Sequence, residues 1–120
     1  MTPDPTASTP DALDRTEFLA RVHGDAVLAG AMAALFIQEA PAQLEAVRLA
    51  VATGSAERVS QAAHLLRGSV ANFSAGEAVS AALHLEQMGR TGELTDASDA
   101  LIALERAIER LIAALREFTE

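Results

Sequence analysis

At 120 residues the chain has room for one domain and little more. Nine basic residues against 17 acidic ones give a net charge of -8, the opposite of the basic stripe that a nucleic-acid binder needs, and no polybasic or aromatic membrane anchor stands out. Aromatics at 3% argue against base stacking, and the absence of cysteine removes disulfide, thiolate-metal and cysteine-nucleophile chemistry.

With 50% hydrophobic residues the chain can fill a core. The opening MTPDPTASTP has no secretory pattern, and the most apolar stretch, Ala26 to Ile37, is too short to span a bilayer. A cytoplasmic, soluble protein without membrane insertion is the expectation. Residues 1 to about 13, holding three of the four prolines, read as a flexible tail or linker too polar to bury, with a domain over 14–120.

From there Ala and Leu dominate, so the punctuation locates the helices. Asp14 and Glu17 form a capping-box pattern opening a short helix that Gly24 closes. Asp25 caps the next, with Leu28, Met32, Leu35 and Phe36 on one face; Pro41 should kink or divide it, and Leu44, Val47 and Val51 continue the stripe to Gly54. Ser55 caps a third helix with Val59, Ala63, Leu66, Val70 and Phe73 on its core side. Ser74 and Glu77 suggest a second capping box for a helix running to about Gly89. After the turn GRTGEL, Thr95 or Asp96 opens a last helix with Leu101, Leu104, Ile108, Leu111, Leu115 and Phe118 at seam spacing. These elements predict an all-α fold: an antiparallel up-down four-helix bundle with an additional short N-terminal helix.

On the third helix the core residues fall within roughly 40° of one direction, and His64 lies about 140° from Val59, facing solvent. Ser60, Gln61, Arg67, Gly68 and Ala71 neighbour it. A glycine inside a helix costs about 1 kcal/mol relative to alanine, so Gly68 suggests close approach of something to the backbone. Arg67, one turn on, offers a fixed positive charge to a phosphoryl group.

The segment HLLRGSVANFSA resembles the signature of histidine-containing phosphotransfer (HPt) domains, with His64, Leu66, Gly68, Ser69, Phe73 and Ala75 in register. Leu85 and Glu86 match a Leu-Glu pair of the family's following helix, and LDRTEFLARVHGD and Phe36 to Pro41 are similar to its opening helices. The resemblance covers residues from about 14 to 118. Arg67 stands where the family usually has Lys, and Ser74 replaces a Gly at the helix break, where the turn should hold with somewhat altered backbone angles.

The resemblance implies a phosphocarrier without autonomous turnover. His64 would accept a phosphoryl group from a receiver-domain aspartate, or a kinase, and pass it to another receiver. Arg67 would steady the phosphate. Ser60, Gln61, Leu65, Gly68 and Ala71 would meet the partner, Leu65 alternatively packing under the first helix. Partners are response-regulator receiver domains and a histidine kinase or hybrid kinase. No intrinsic cofactor is expected, Mg²⁺ coming with the receiver. A monomer is expected because the His64 face must stay open.

The alternative is a non-catalytic scaffold that binds response regulators through the same face. A kinase fragment is disfavoured because no nucleotide-binding motif is present. Ser69 should bond back to the Leu65 carbonyl. His84 and His23 read as surface residues. A metal site from His64, His84 and Glu86 is disfavoured for want of Glu-x-x-His repeats.

Overall fold

A computed structural model of the protein describes residues 12–119, and every regular element among them is helical. In chain order these are α1 (Arg15–Arg21), α2 (Ala26–Thr53), α3 (Ala56–Val70), α4 (Gly76–Thr91) and α5 (Ala97–Leu115). Single 3-10 turns, Ala71–Phe73 and Arg116–Phe118, follow α3 and α5.

Local chemistry sets most of the boundaries. The carboxylates of Asp14 and Asp25 and the hydroxyl of Ser55 accept from the backbone N–H three residues on, capping α1, α2 and α3. Gly54 ends α2 and Gly92 ends α4, both left-handed at φ 70° and 79°. The box at Asp14 is half made, because the Glu17 side chain pairs with Arg21 and the Asp14 N–H donates to the Ser74 carbonyl.

Five expectations are corrected. Pro41 does not divide α2, which runs unbroken for 28 residues. The proline lies on the exposed side, while a buried stripe of Ala29, Ala33, Phe36, Ala40, Leu44, Val47 and Ala50 continues past it on both sides. That stripe is also not the one expected at the start of α2. Small alanines face the core, and Leu28 and Leu35 are exposed.

Ser74 does not cap α4. It adopts φ 53°, the left-handed conformation usual for glycine, and Ala75 precedes α4 without any side-chain cap. Gly89 does not terminate α4 but sits inside it, buried against α3. Finally, Ala12 and Leu13, assigned to the tail, are buried, with Leu13 in the core, so the packed region begins earlier than residue 14. The rest of that tail, residues 1–11, lies outside the described residues.

Neighbouring helices meet through specific pairs. Gly89 of α4 lies against Ala56 and Ser60 of α3. Arg110 of α5 bonds Glu77 of α4. Arg48 of α2 holds Glu105 of α5 at 2.7 Å. Gly30 near the start of α2 packs on the Phe118 carbonyl after α5.

The α1 helix closes one end of this assembly. Its Phe18 is 5.3 Å, centroid to centroid, from both Phe73 and Phe118, and Phe73 is 5.3 Å from Phe36. Arg21 donates to the Ala71 carbonyl, and Arg15 pairs with Glu117. All four phenylalanines of the chain thus form one cluster.

By length and composition α2 would also reach across a bilayer. Its core stripe packs within the protein, however, and Arg48 is paired with Glu105 of α5.

Candidate functional site

Placing Val59, Ala63, Leu66 and Val70 in the core turns His64 outward on α3, with 60% of its side chain exposed. One turn on, Arg67 leans from α3 toward α4. What lies between them is a carboxylate. Glu86 shares the inward face of α4 with Ala82, Leu85 and Gly89, and only 1% of its side chain is exposed. Close approach of α3 and α4 brings it to the base of the histidine.

The contacts are tight. Arg67 Nε donates to Glu86 Oε1 at 2.6 Å, and its Nη2 lies 3.4 Å from Oε2. Arg90, one turn along α4 and 60% exposed, donates from Nη2 to Oε2 at 2.6 Å. His64 Nδ1 is 3.0 Å from the same oxygen and 3.1 Å from Arg67 Nη2. A buried carboxylate is tolerable only when donors surround it, and here charged donors come from two helices.

The hydrogen bond from Arg67 holds the Glu86 carboxyl below its usual carboxylate range, against the opposing effect of burial. His64 and Arg90 add smaller effects in the same direction. The same bond to Glu86 raises Arg67 further above neutral pH. Glu86 is therefore an anion and Arg67 a cation at neutral pH.

Nδ1 of His64 can serve only one of its neighbours. A guanidinium only donates and a carboxylate only accepts. Arg67 already has Glu86 as acceptor, whereas Glu86 gains a further donor if Nδ1 carries the proton. Hydrogen-bond chemistry thus favours Nδ1–H donating to Glu86, which leaves the lone pair on Nε2.

The other expected site residues fall into two groups. Gln61, Leu65, Gly68 and Ala71 are exposed along α3 and its following turn. Leu65, at 68% exposure, does not pack under α1 and adds an apolar surface beside His64. Gly68 has no atom within 4 Å of where a Cβ would stand, so nothing inside the protein requires a glycine there. Ser60 is partly buried, and its backbone lies against Gly89 of α4. The Ser69 hydroxyl donates to the Leu65 carbonyl at 3.3 Å, a structural bond.

Sequence reasoning noted Glu86 as part of a family-like Leu-Glu pair and as a disfavoured metal ligand, without linking it to His64 as a hydrogen-bond partner, and did not single out Arg90. The usable signal was their four-residue spacing, which puts an acid and a base on adjacent turns of one helix. Their meeting with His64 depends on packing between helices. His84 is exposed on α4, and the described residues contain no group of three or more His, Cys, Asp or Glu placed to hold a metal ion.

Comparison with known families matches residues 31–114 to the Hpt domain. Searches of curated proteins and of solved structures gave no significant match.

Proposed function

The chain belongs to the Hpt domain family, whose members carry phosphoryl groups on histidine in two-component phosphorelays, and we propose that His64 is the phosphoacceptor here. The observation that carries this is the bond between His64 Nδ1 and the buried Glu86, in a side chain otherwise open to solvent. That bond commits the proton to Nδ1 and presents Nε2 as the nucleophile.

A receiver domain phosphorylated on aspartate docks over Gln61, Leu65, Gly68 and Ala71. Nε2 attacks the phosphorus in line; the N–P bond forms as the acyl-phosphate P–O bond breaks, and its electron pair returns to the aspartate. The ring takes up positive charge, which Glu86 shares through Nδ1–H. The reverse sequence delivers the group to a second receiver, and a kinase can also load His64. Such transfer is mostly positioning and charge neutralisation, so few protein groups are needed.

Arg67 acts in two ways: it pins Glu86, and its positive charge beside the ring steadies the phosphoryl group. Mg²⁺ is supplied by the receiver. The protein is a phosphocarrier, working as a cytoplasmic monomer. Short connections and opposed pairings such as Glu77–Arg110 and Ser60–Gly89 support an antiparallel up-down four-helix bundle with α1 laid over one end.

The test is transfer from a receiver phosphorylated by acetyl phosphate in the presence of Mg²⁺. Acid-labile label should reach the unmodified protein and His84→Gln but not His64→Gln. A His64→Gln variant that still takes up label would sink the assignment. Docking without any label on the unmodified protein would favour a scaffold.

A further inference from the structure

We propose that the groove between α2 and α5 docks a basic amphipathic helix of a partner protein, leaving His64 on α3 open while it is held. The proposal does not depend on the role given to His64.

The first ground is the lining of the groove. Ala40, Leu44 and Ile108 form its floor, each 5% exposed or less, and Pro41 and Ile112 form its accessible walls. The space measures about 190 Å³, below the roughly 300–1,000 Å³ of small-molecule sites, so it suits side chains laid in from outside better than a whole ligand. Between Ala40 and Arg48 the α2 wall runs about 12 Å, close to two helical turns. That length admits two apolar anchors spaced i and i+4, the way an amphipathic helix enters a groove between helices.

The second ground is Pro41. A proline has no N–H for the carbonyl four residues back, here Ile37, yet α2 runs unbroken past it. A helical carbonyl points along the axis toward position i+4. This acceptor therefore opens beside Pro41 at the edge of the groove, where an incoming lysine or arginine can donate to it.

The third ground is charge. Arg48, the one basic residue among the described residues lining the groove, already serves two carboxylates. Glu105 Oε2 accepts from its Nε at 2.8 Å and its Nη2 at 2.7 Å, and Glu45 Oε2 accepts from its Nη1 at 3.3 Å. Glu109 is exposed on the α5 side and has no hydrogen bond or ion pair with any described residue. The rim is thus net negative on a protein of net charge -8, which attracts a cationic occupant and repels a second copy of this chain. The described lining residues all come from α2 and α5, whereas His64 stands where α3 meets α4, so an occupied groove leaves the histidine accessible.

The probe is a fluorescein-labelled lysine–leucine peptide of about 15 residues, long enough to be helical, with leucines spaced i and i+4 along one face. A glutamate–leucine peptide of the same pattern is its control. Anisotropy is read for the unmodified protein, Glu109→Lys, Pro41→Ala and Glu93→Lys, the last an equal charge change in the loop after α4. Amide NMR shifts map the contact. The lysine peptide should bind and the glutamate peptide should not. Glu109→Lys should weaken binding about fivefold, against less than about twofold for Glu93→Lys. Pro41→Ala restores the donor to Ile37, so it should raise thermal stability and still weaken binding by about threefold. Shifts should gather on Leu44, Ile108 and Ile112, with His64 and Leu65 unmoved. No saturable binding at about 1 mM peptide overturns the proposal, as does equal binding of the two peptides. A loss in Glu109→Lys no greater than in Glu93→Lys overturns it too, and so do shifts centred on His64. Groove resonances that move as the free protein is concentrated would assign the groove to a second copy instead.

Discussion

Glu86 is the residue on which the site turns, because a carboxylate with 1% exposure persists only while its donors stay charged and in place. Arg67 holds its folded-state pKa below the usual range, so the unfolded chain binds a proton on this group more readily than the folded one. Stability from Glu86 is therefore complete above the unfolded carboxylate value of about 4.3, and is lost as pH falls through the depressed folded value. Thermal midpoints should decline below about pH 5 more steeply in the unmodified protein than in Glu86→Gln. Equal acid slopes in the two proteins would mean that Glu86 is not the anion inferred here. The use of arginine at position 67 also becomes intelligible at this scale. All nine basic residues of the chain are arginine, and a planar fork can bond both oxygens of Glu86 while reaching His64. A lysine offers one nitrogen for the same task.

Two glycines inside helices show how differently the elements use the same residue. A Cβ on Gly89 would lie 2.6 Å from the Ala56 carbonyl oxygen and closer still to the Ser60 nitrogen, so α4 needs glycine to approach α3. A Cβ on Gly68 would meet nothing within 4 Å. Calorimetry should find Gly89→Ala destabilised by about 1–3 kcal/mol, as for other overpacked cores. Gly68→Ala should gain about 1 kcal/mol from helix propensity while docking a receiver less well. A Gly68→Ala protein that gains stability and transfers normally would leave that glycine without a partner role. The same pair marks what the sequence could disclose. Asp14, Asp25, Ser55 and Gly54 were readable because caps are made by residues a few positions apart. Gly89 looked like another stop, and Ser74 like another cap, because their roles come from packing. In an Ala-rich helix the largest side chains also misled: Leu28 and Leu35 are exposed, and close-packed alanines line the core. His64 was legible from its motif and its place on the helical wheel, whereas the meeting of Glu86 and Arg90 with it required the α3–α4 contact.

At the scale of the whole molecule, the region matched to the family begins at residue 31, inside α2, and leaves α1 outside it. The packing argues that α1 is nonetheless part of the folding unit. Phe18 has no exposed surface and joins Phe73 from the turn after α3 to Phe118 from the turn after α5. Through Phe73 the cluster reaches Phe36 on α2, so one side chain from α1 ties together segments distant in sequence. Truncating a buried phenylalanine to alanine costs about 3–5 kcal/mol, a large share of the roughly 5–15 kcal/mol that holds a small domain. Phe18→Ala should therefore lower the denaturation midpoint sharply. Its transfer rate should stay unchanged at temperatures where the fold persists, because the cluster closes one end of the helices while His64 and Glu86 meet along the α3–α4 contact. A variant as stable as the unmodified protein would show that α1 merely lies on a core complete without it. A stable variant with impaired transfer would instead bring α1 into the receiver-docking surface.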